Sequence, residues 1–254
     1  MLSSRLQRLR SLRSDTSGLA LMEFAFTFPI IMAMGGYGTE LSFLALSNLR
    51  VSQYALNLAD NASRVGVQAN AGVTQLRESD LNDVLQGTRR ESDLIKLTTN
   101  GRVILSSLEN VSQPYDTDRV QRIHWQRCLG MKGASGADAA DYNSHYDPSP
   151  TVHPSPAAGS DATAANKGVD APAGMGEPTQ KVNAYQNSGV MFVEVNYQYR
   201  PLFGSLFVNP QVIRYTASFI VRDNRDFSRI YNPTPTATAS TCDRYTKGVG
   251  GATT

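Results

Sequence analysis

The stretch LALMEFAFTFPIIMAMGGYGT, residues 19–39, decides how this chain is organised. It holds one charged residue, Glu23, among its 21 positions. A helix of that length extends about 30 Å, which matches the hydrocarbon core of a bilayer. The stretch therefore predicts a transmembrane helix over residues 19–40. A secretory signal peptide, which also has a basic start and an apolar middle, is the alternative.

The residues before this stretch are basic. Residues 1–18 carry one acid and four arginines, a net charge of +3, so the rest of the chain carries −1 of the total of +2. The charged residues are Arg5, Arg8, Arg10, Arg13 and Asp15. Arginines on one flank of an apolar helix orient it with its N-terminus in the cytoplasm. We therefore expect a single-pass protein whose C-terminal part lies on the other side of the membrane.

The composition of the whole chain excludes several classes of protein. With 41% apolar and 18% charged residues among 254, it is neither collagen-like, nor a disulfide-dense miniprotein, nor disordered throughout. A mean hydropathy of −0.30 is too low for a protein with many membrane spans. The 24 basic and 22 acidic residues are nearly balanced, which predicts no nucleic-acid partner.

Glu23 is the most informative residue of the apolar stretch. A carboxylate inside a bilayer is costly unless it is paired, so it is a candidate functional residue, the alternative being an acid at the membrane boundary. It lies five residues after Gly18, in the string G-LALM-EF. With Phe24 next to it and the basic segment in front, this string resembles the processing site of type IV prepilins of the tight-adherence, or Flp, branch.

The wider stretch resembles the N-terminus of the TadE/TadG-like minor pseudopilins. The positions that fill their pattern are Met22, Glu23, Phe24, Ala25, Pro29, Gly35, Gly36, Gly38 and Glu40. The resemblance implies that prepilin peptidase removes residues 1–18 after Gly18, leaving Leu19 as the new N-terminus. Its partners would then be that peptidase, other pilin-like subunits and the inner-membrane platform proteins of a tight-adherence pilus. The head would lie in the periplasm or on the fibre surface.

Proline and glycine are expected to shape the membrane helix. Pro29 lacks an amide donor and predicts a kink or local unwinding near residues 26–29. Gly35, Gly36 and Gly38 form a small-residue patch that allows close helix approach, or else a flexible joint. Glu40 is expected to mark the membrane exit as a solvated interfacial residue.

Helical periodicity continues beyond the membrane. It predicts one helix over residues 19–66 whose second half, residues 41–66, is amphipathic. Residues 67–130 and 183–230 are expected to form an α+β head in which this half-helix packs on a small antiparallel sheet, the pilin architecture. A second helix is predicted over residues 74–85, with a possible break at Ser79-Asp80.

Alternating apolar and polar residues predict strands with one buried face. The predicted strands cover residues 120–128, 190–200 and 212–222, and residues 94–98 and 102–108 are predicted to form a hairpin around a tight Asn100-Gly101 turn. The mixed charges from Arg222 to Arg229 are expected to form a solvated turn.

Two segments have too few large apolar residues to predict a packed structure. Residues 131–182 are rich in alanine, glycine, proline and serine, and we expect a long insertion that is disordered or specialised for surface contact. Residues 231–254 are expected to form a flexible tail. Two cysteines offer a Cys128–Cys242 disulfide in an oxidising compartment, the alternative being two unpaired thiols.

No catalytic motif is recognisable, so we predict that the chain is not an enzyme and holds no cofactor or metal. His145 and His153, with Asp141 and Asp147 nearby, resemble a weak metal-binding tract but are better explained as a solvated loop. His124, beside Trp125, is expected to pack in the core. Besides the pseudopilin, a membrane-tethered periplasmic binding or adhesion module and a secreted hydrolase remain as alternatives.

Overall fold

The computed structural model describes residues 17–69, 72–148 and 152–251. The chain divides into two units. The first contains the N-terminal helix up to Ala45 together with Pro201–Pro210, and the second contains the remaining described residues from Leu46 onward. The predicted basic leader lies outside the described residues, except for Ser17 and Gly18.

One helix, α1, runs over Ser17–Arg64 and confirms the predicted long N-terminal helix. It is unbroken through Pro29, so the expected local unwinding is not found. Within the described residues, α1 is the helix that is long and apolar enough to cross a membrane, and the apolar window of its sequence is not buried by the protein. This is consistent with a single membrane anchor near the N-terminus, although signal sequences have the same properties.

The second unit is built on a five-stranded antiparallel sheet in the order β5-β4-β3-β6-β7. Its strands are β3 (Gly101–Val111), β4 (Val120–Leu129), β5 (Val169–Asp170), β6 (Ser188–Gln198) and β7 (Val212–Ile220). A separate two-stranded sheet contains β1 (Val67–Gln68) and β2 (Thr74–Gln75). The alternating patterns thus correctly predicted β4, β6 and β7, because each carries the large apolar residues that a sheet buries.

The helical part of the second unit supplies much of its apolar core. From Leu46 onward α1 buries Val51, Ala55, Leu58, Ala59 and Ala62. Helix α2 (Glu78–Glu91) buries Leu81 and Leu85, and the hydroxyl of Tyr197 on β6 donates to the carbonyl of Ile95. Two short helices complete the unit, α3 (Leu97–Asn100) and α4 (Ala137–Tyr142). An amphipathic half-helix and an antiparallel sheet in one unit agree with the predicted α+β class.

Residues 131–182 were expected to be disordered or specialised for surface contact, and disorder is wrong for the described residues 131–148 and 152–182. Ala171 and Met175 belong to a buried cluster with Leu108 on β3, Ile123 on β4 and Phe192 on β6. The segment therefore covers a face of the sheet, and β6 is buried on both faces instead of one. Its few apolar side chains suffice because backbone and polar groups of the segment also hydrogen-bond to the sheet.

The predicted flexible tail is also packed. The amide of Cys128 donates to the carbonyl of Ser240 at 2.7 Å, and that of Gly130 donates to Thr246 at 3.0 Å. These bonds, together with a disulfide between Cys128 and Cys242, attach the tail to the end of β4. The described part of the tail, up to Gly251, therefore belongs to the folded unit.

Two local predictions fail for identifiable reasons. Helix α2 begins at Glu78 instead of residue 74. Asp80 caps its first turn by accepting from the amide of Arg77 at 3.1 Å, so the position where a break was expected is the start of the helix.

The predicted hairpin is the second failure. Residues 93–100 form two helical turns and no strand. Gly101 opens β3, where a Cβ atom would lie 2.5 Å from the carbonyl oxygen of Asn196. Close packing explains this glycine, and the predicted hairpin is absent.

Candidate functional site

The predicted processing site lies at the start of α1. Gly18 is its second residue, and Leu19, Glu23 and Phe24 follow on the same helix with exposed side chains. The ring of Phe24 stacks on Phe28 one turn later, with their centroids 5.1 Å apart. The helix thus presents a carboxylate among exposed apolar side chains, an arrangement that suits contact with lipid or with other helices better than solution in water.

The glycine patch divides into open and occupied positions. A Cβ atom at Gly35 or Gly38 would meet nothing within 4 Å, so both leave room for a neighbouring helix. At Gly36 a Cβ atom would lie 2.8 Å from the ring of Phe207, which already fills that space. The hydroxyls of Thr39 and Ser42 donate to the carbonyls of Gly35 and Gly38, each at 2.8 Å, and keep these polar side chains on the helix.

Glu40 is not the solvated interfacial residue that the sequence suggested. It is fully buried in the first unit and accepts hydrogen bonds from the amides of Leu202 at 3.2 Å and Phe203 at 3.1 Å. The carboxylate therefore holds the loop of residues 201–210 on the helix. Sequence reasoning missed this contact because nothing periodic connects positions 162 residues apart. The available signal was an acid at the end of an apolar stretch and a second uncharged apolar run, PLFGSLFVNP.

A buried carboxyl group lies beneath the insertion. Glu194 on β6 is 1% exposed, accepts from the hydroxyl of Ser144, and accepts from the amide of His145 at 2.9 Å. Burial raises the pKa of Glu194 to about 8, although both hydrogen bonds favour the charged form and oppose that shift. The alternating pattern had placed Glu194 on a solvent face, so its role in the fold was missed.

The four residues of the weak metal-binding tract, His145, His153, Asp141 and Asp147, have different partners. His153 Nδ1 contacts the Asp147 carboxylate, whereas Asp141 accepts from Arg214 at 2.9 Å, and His145 takes part through its backbone. In the parts of the chain that the structure describes, no group of three or more potential ligands is close enough to hold a metal ion.

His124 lies in the core, as expected, and pairs with an acid. Its Nδ1 atom is 2.8 Å from Glu109, whose other carboxylate oxygen accepts from Ser107 at 2.6 Å. Burial disfavours the charged imidazole, but the Glu109 carboxylate outweighs this and raises the pKa of His124. Both side chains are almost fully buried, so the pair stabilises the second unit and is poorly placed to meet a substrate.

The charged turn after β7 is partly buried, contrary to expectation. Arg225 is 6% exposed and donates to three carbonyls at the end of α1: Ala62 at 3.2 Å, Ser63 at 3.1 Å and Val65 at 2.8 Å. The last carbonyls of a helix have no partner within it, and a cation there also interacts favourably with the helix dipole. Arg225 therefore caps α1, whereas the neighbouring Arg222 is exposed as predicted.

A cavity of about 200 Å³ lies beside the disulfide and is lined partly by Arg102 and Tyr245. The guanidinium of Arg102 donates to the carbonyls of Gly130 at 3.1 Å and Arg244 at 3.3 Å, and it stacks on the ring of Tyr245. Burial lowers the pKa of Arg102 to about 10. Arg102 therefore binds the tail at the wall of this cavity.

Comparison of the chain with known protein families, with characterised proteins and with solved structures finds no match.

Proposed function

We propose that this chain is a minor pseudopilin that takes part in the assembly or priming of a tight-adherence pilus after prepilin peptidase cleaves it behind Gly18. The observation that carries the proposal is the position of the motif on the structure. Gly18, Glu23 and Phe24 lie on the exposed, apolar first part of one continuous helix, and the end of that helix is buried in an α+β unit. An anchored helix that continues into a head is what pilin assembly requires.

The proposed mechanism is assembly of helices and involves no catalysis. Cleavage frees an α-amino group at Leu19, and Glu23 is then the fifth residue of the mature chain. In a bundle of such helices, Glu23 of one chain can neutralise the amino group of its neighbour, because two opposite charges attract strongly where water is excluded. Gly35 and Gly38, which no part of the described chain covers closely, allow the helices to approach.

The mature N-terminus tests the processing step. Mass spectrometry of the protein isolated from cells with active prepilin peptidase should find a chain that begins at Leu19. Cleavage after residue 34 or later would instead indicate a signal peptidase, and an uncut chain would leave the motif without a function. Either of these results contradicts the proposal.

The variant Glu23→Gln tests the assembly step. It removes the charge with little change in size, so processing should continue while pilus formation falls sharply. Thr27→Ala is the matched control on the next helical turn, since the Thr27 hydroxyl donates to backbone carbonyls of its own helix, that of Glu23 at 2.8 Å and that of Phe24 at 3.4 Å. Normal pili with Glu23→Gln would show that the helix is only an anchor and would favour the tethered binding module.

A further inference from the structure

The loop between β6 and β7 carries an apolar surface that the described residues of the first unit leave exposed. Its sequence, PLFGSLFVNP, contains no charged residue over positions 201–210. Three large side chains remain exposed: Leu202 at 53%, Phe203 at 47% and Leu206 at 75%. A connection between two strands normally carries polar residues, so an uncharged loop with these exposures requires an explanation.

The loop is fixed on α1 by hydrogen bonds and by aromatic packing within the first unit. Glu40 accepts from two of its backbone amides, as described above. The ring of Phe207 lies over Gly36, and its centroid is 6.2 Å from that of Tyr37. Within the loop itself, the rings of Phe203 and Phe207 meet edge to face, with their centroids 5.7 Å apart. The position of the loop along the helix is therefore defined, at residues 36–40.

This position coincides with the end of the apolar stretch. At 1.5 Å per residue, Glu40 lies about 30 Å along the helix from Leu19, which is the thickness of a bilayer's hydrocarbon core. The loop thus lies where the helix would leave the hydrocarbon. Two backbone amides of the loop are satisfied there by the Glu40 carboxylate, so the loop can approach the edge of the hydrocarbon without leaving these two donors unpaired.

We propose that residues 201–210 form a second membrane contact, which dips Leu202, Phe203 and Leu206 into the lipid interface beside α1. The inference rests on the membrane anchoring included in the proposed function. Lipid is the favoured occupant for two reasons. The loop is continuous with the exposed apolar surface of the helix to which it is bound, and it lacks the charges that usually define the rim of a protein interface. The head would then be held to the membrane at two points of the chain.

Fluorescence quenching in vesicles measures the depth of the loop. The full-length protein, with its Cys128–Cys242 disulfide intact, is labelled at Leu206→Cys with an environment-sensitive dye and reconstituted into phosphatidylcholine vesicles that contain brominated lipid. The same label at Ile31→Cys reports the helix, and at Leu94→Cys it reports a leucine of similar exposure, 72%, outside the loop. We expect bromines near the headgroup to quench the Leu206 label several-fold more than the Leu94 label, and bromines near the bilayer centre to quench the Ile31 label.

The three labels separate the two proposals. An unquenched Ile31 label would show that α1 does not span the bilayer and would overturn the anchoring as well as the loop contact. A quenched Ile31 label with a Leu206 label that aqueous iodide reaches freely would overturn the loop contact alone. A Leu206 label shielded from both iodide and bromolipid would mean that a protein covers the loop, which also overturns this inference.

Glu40 provides an independent test of the same contact. Glu40→Ala removes the acceptor of both amides, so the Leu206 label should lose roughly half or more of its quenching while the Ile31 label keeps its own. Glu40→Gln retains one carbonyl oxygen as an acceptor, so its Leu206 label should be quenched more strongly than that of Glu40→Ala and less strongly than that of wild type. Equal quenching of the Leu206 label in all three proteins would show that Glu40 does not position the loop at the interface.

Discussion

Replacing Glu194 by glutamine should change how the stability of the second unit depends on pH. The carboxyl group is buried, and burial raises its pKa to about 8 from an ordinary value near 4.5. The folded protein therefore keeps a proton at Glu194 over a pH range in which the unfolded chain has lost it. Because the folded state binds more protons between these two values, the free energy of unfolding falls as the pH rises through this window.

The magnitude follows from linkage. One proton bound only by the folded state costs about 1.4 kcal/mol per pH unit, and this slope flattens near each of the two pKa values. Between pH 5 and pH 8, wild type should therefore lose about 3 to 4 kcal/mol of stability relative to Glu194→Gln. Glutamine can replace the protonated acid because its oxygen can accept from the His145 amide and its NH₂ group can donate to Ser144. At pH 5, where Glu194 is protonated in the folded protein, the two proteins should be similarly stable.

The chain provides its own probe for this measurement. Trp125 is its single tryptophan and is 2% exposed, so its emission follows unfolding of the second unit in urea. Full-length wild type, Glu194→Gln and the control Glu91→Gln, whose side chain is exposed on α2, are compared in detergent from pH 5 to pH 8. Glu91→Gln should follow wild type. Parallel curves for wild type and Glu194→Gln would refute the conclusion that a neutral Glu194 is what the fold requires.

Two further substitutions test how the second unit is held together, with Trp125 emission again as the measurement. Cys242→Ser opens a loop closed across 114 residues, so the free energy of unfolding should fall by up to about 5 kcal/mol; no change would mean that the tail is held by its hydrogen bonds alone. Arg225→Lys cannot donate to three carbonyls in the same geometry and should cost about 2 kcal/mol, whereas the exposed Arg222→Lys should cost little. Equal effects of the two arginine variants would contradict the capping role of Arg225.

The sequence predicted the elements whose formation depends on periodic apolar residues. Helix α1 and strands β4, β6 and β7 carry apolar residues at regular spacing in the sequence, and their bounds agree with prediction within a few residues. The Asn100-Gly101 pair led to a wrong prediction of a hairpin turn, because the preference of two residues for a turn is weaker than the packing requirements of the whole fold. Gly101 is explained by the carbonyl of Asn196, which leaves no room for a side chain, and that contact is 95 residues distant in the chain.

The missed parts of the candidate site are held by polar contacts between distant residues. Glu40 binds amides of the loop at residues 201–210, and Arg225 binds carbonyls at the end of α1. Such contacts leave no periodic signal, because one charged side chain and a few backbone groups are enough. The motif at Gly18 and Glu23 differs from these contacts in two ways. Its residues are close together in the sequence, so the sequence alone reveals it, and its proposed partners are other chains.

The polar face of β6 explains why the insertion is part of the fold. Alternation made Glu194 and Asn196 look solvent-exposed, yet both are buried, and the Asn196 side-chain amide donates to the carbonyl of Tyr142 at 3.0 Å. Removing the insertion would leave the apolar cluster around Phe192 uncovered and these polar groups without their partners, so the sheet itself needs residues 142–147. A role of residues 131–182 in adhesion or in the choice of partners is therefore confined to their exposed side chains, because the buried ones already hold the sheet.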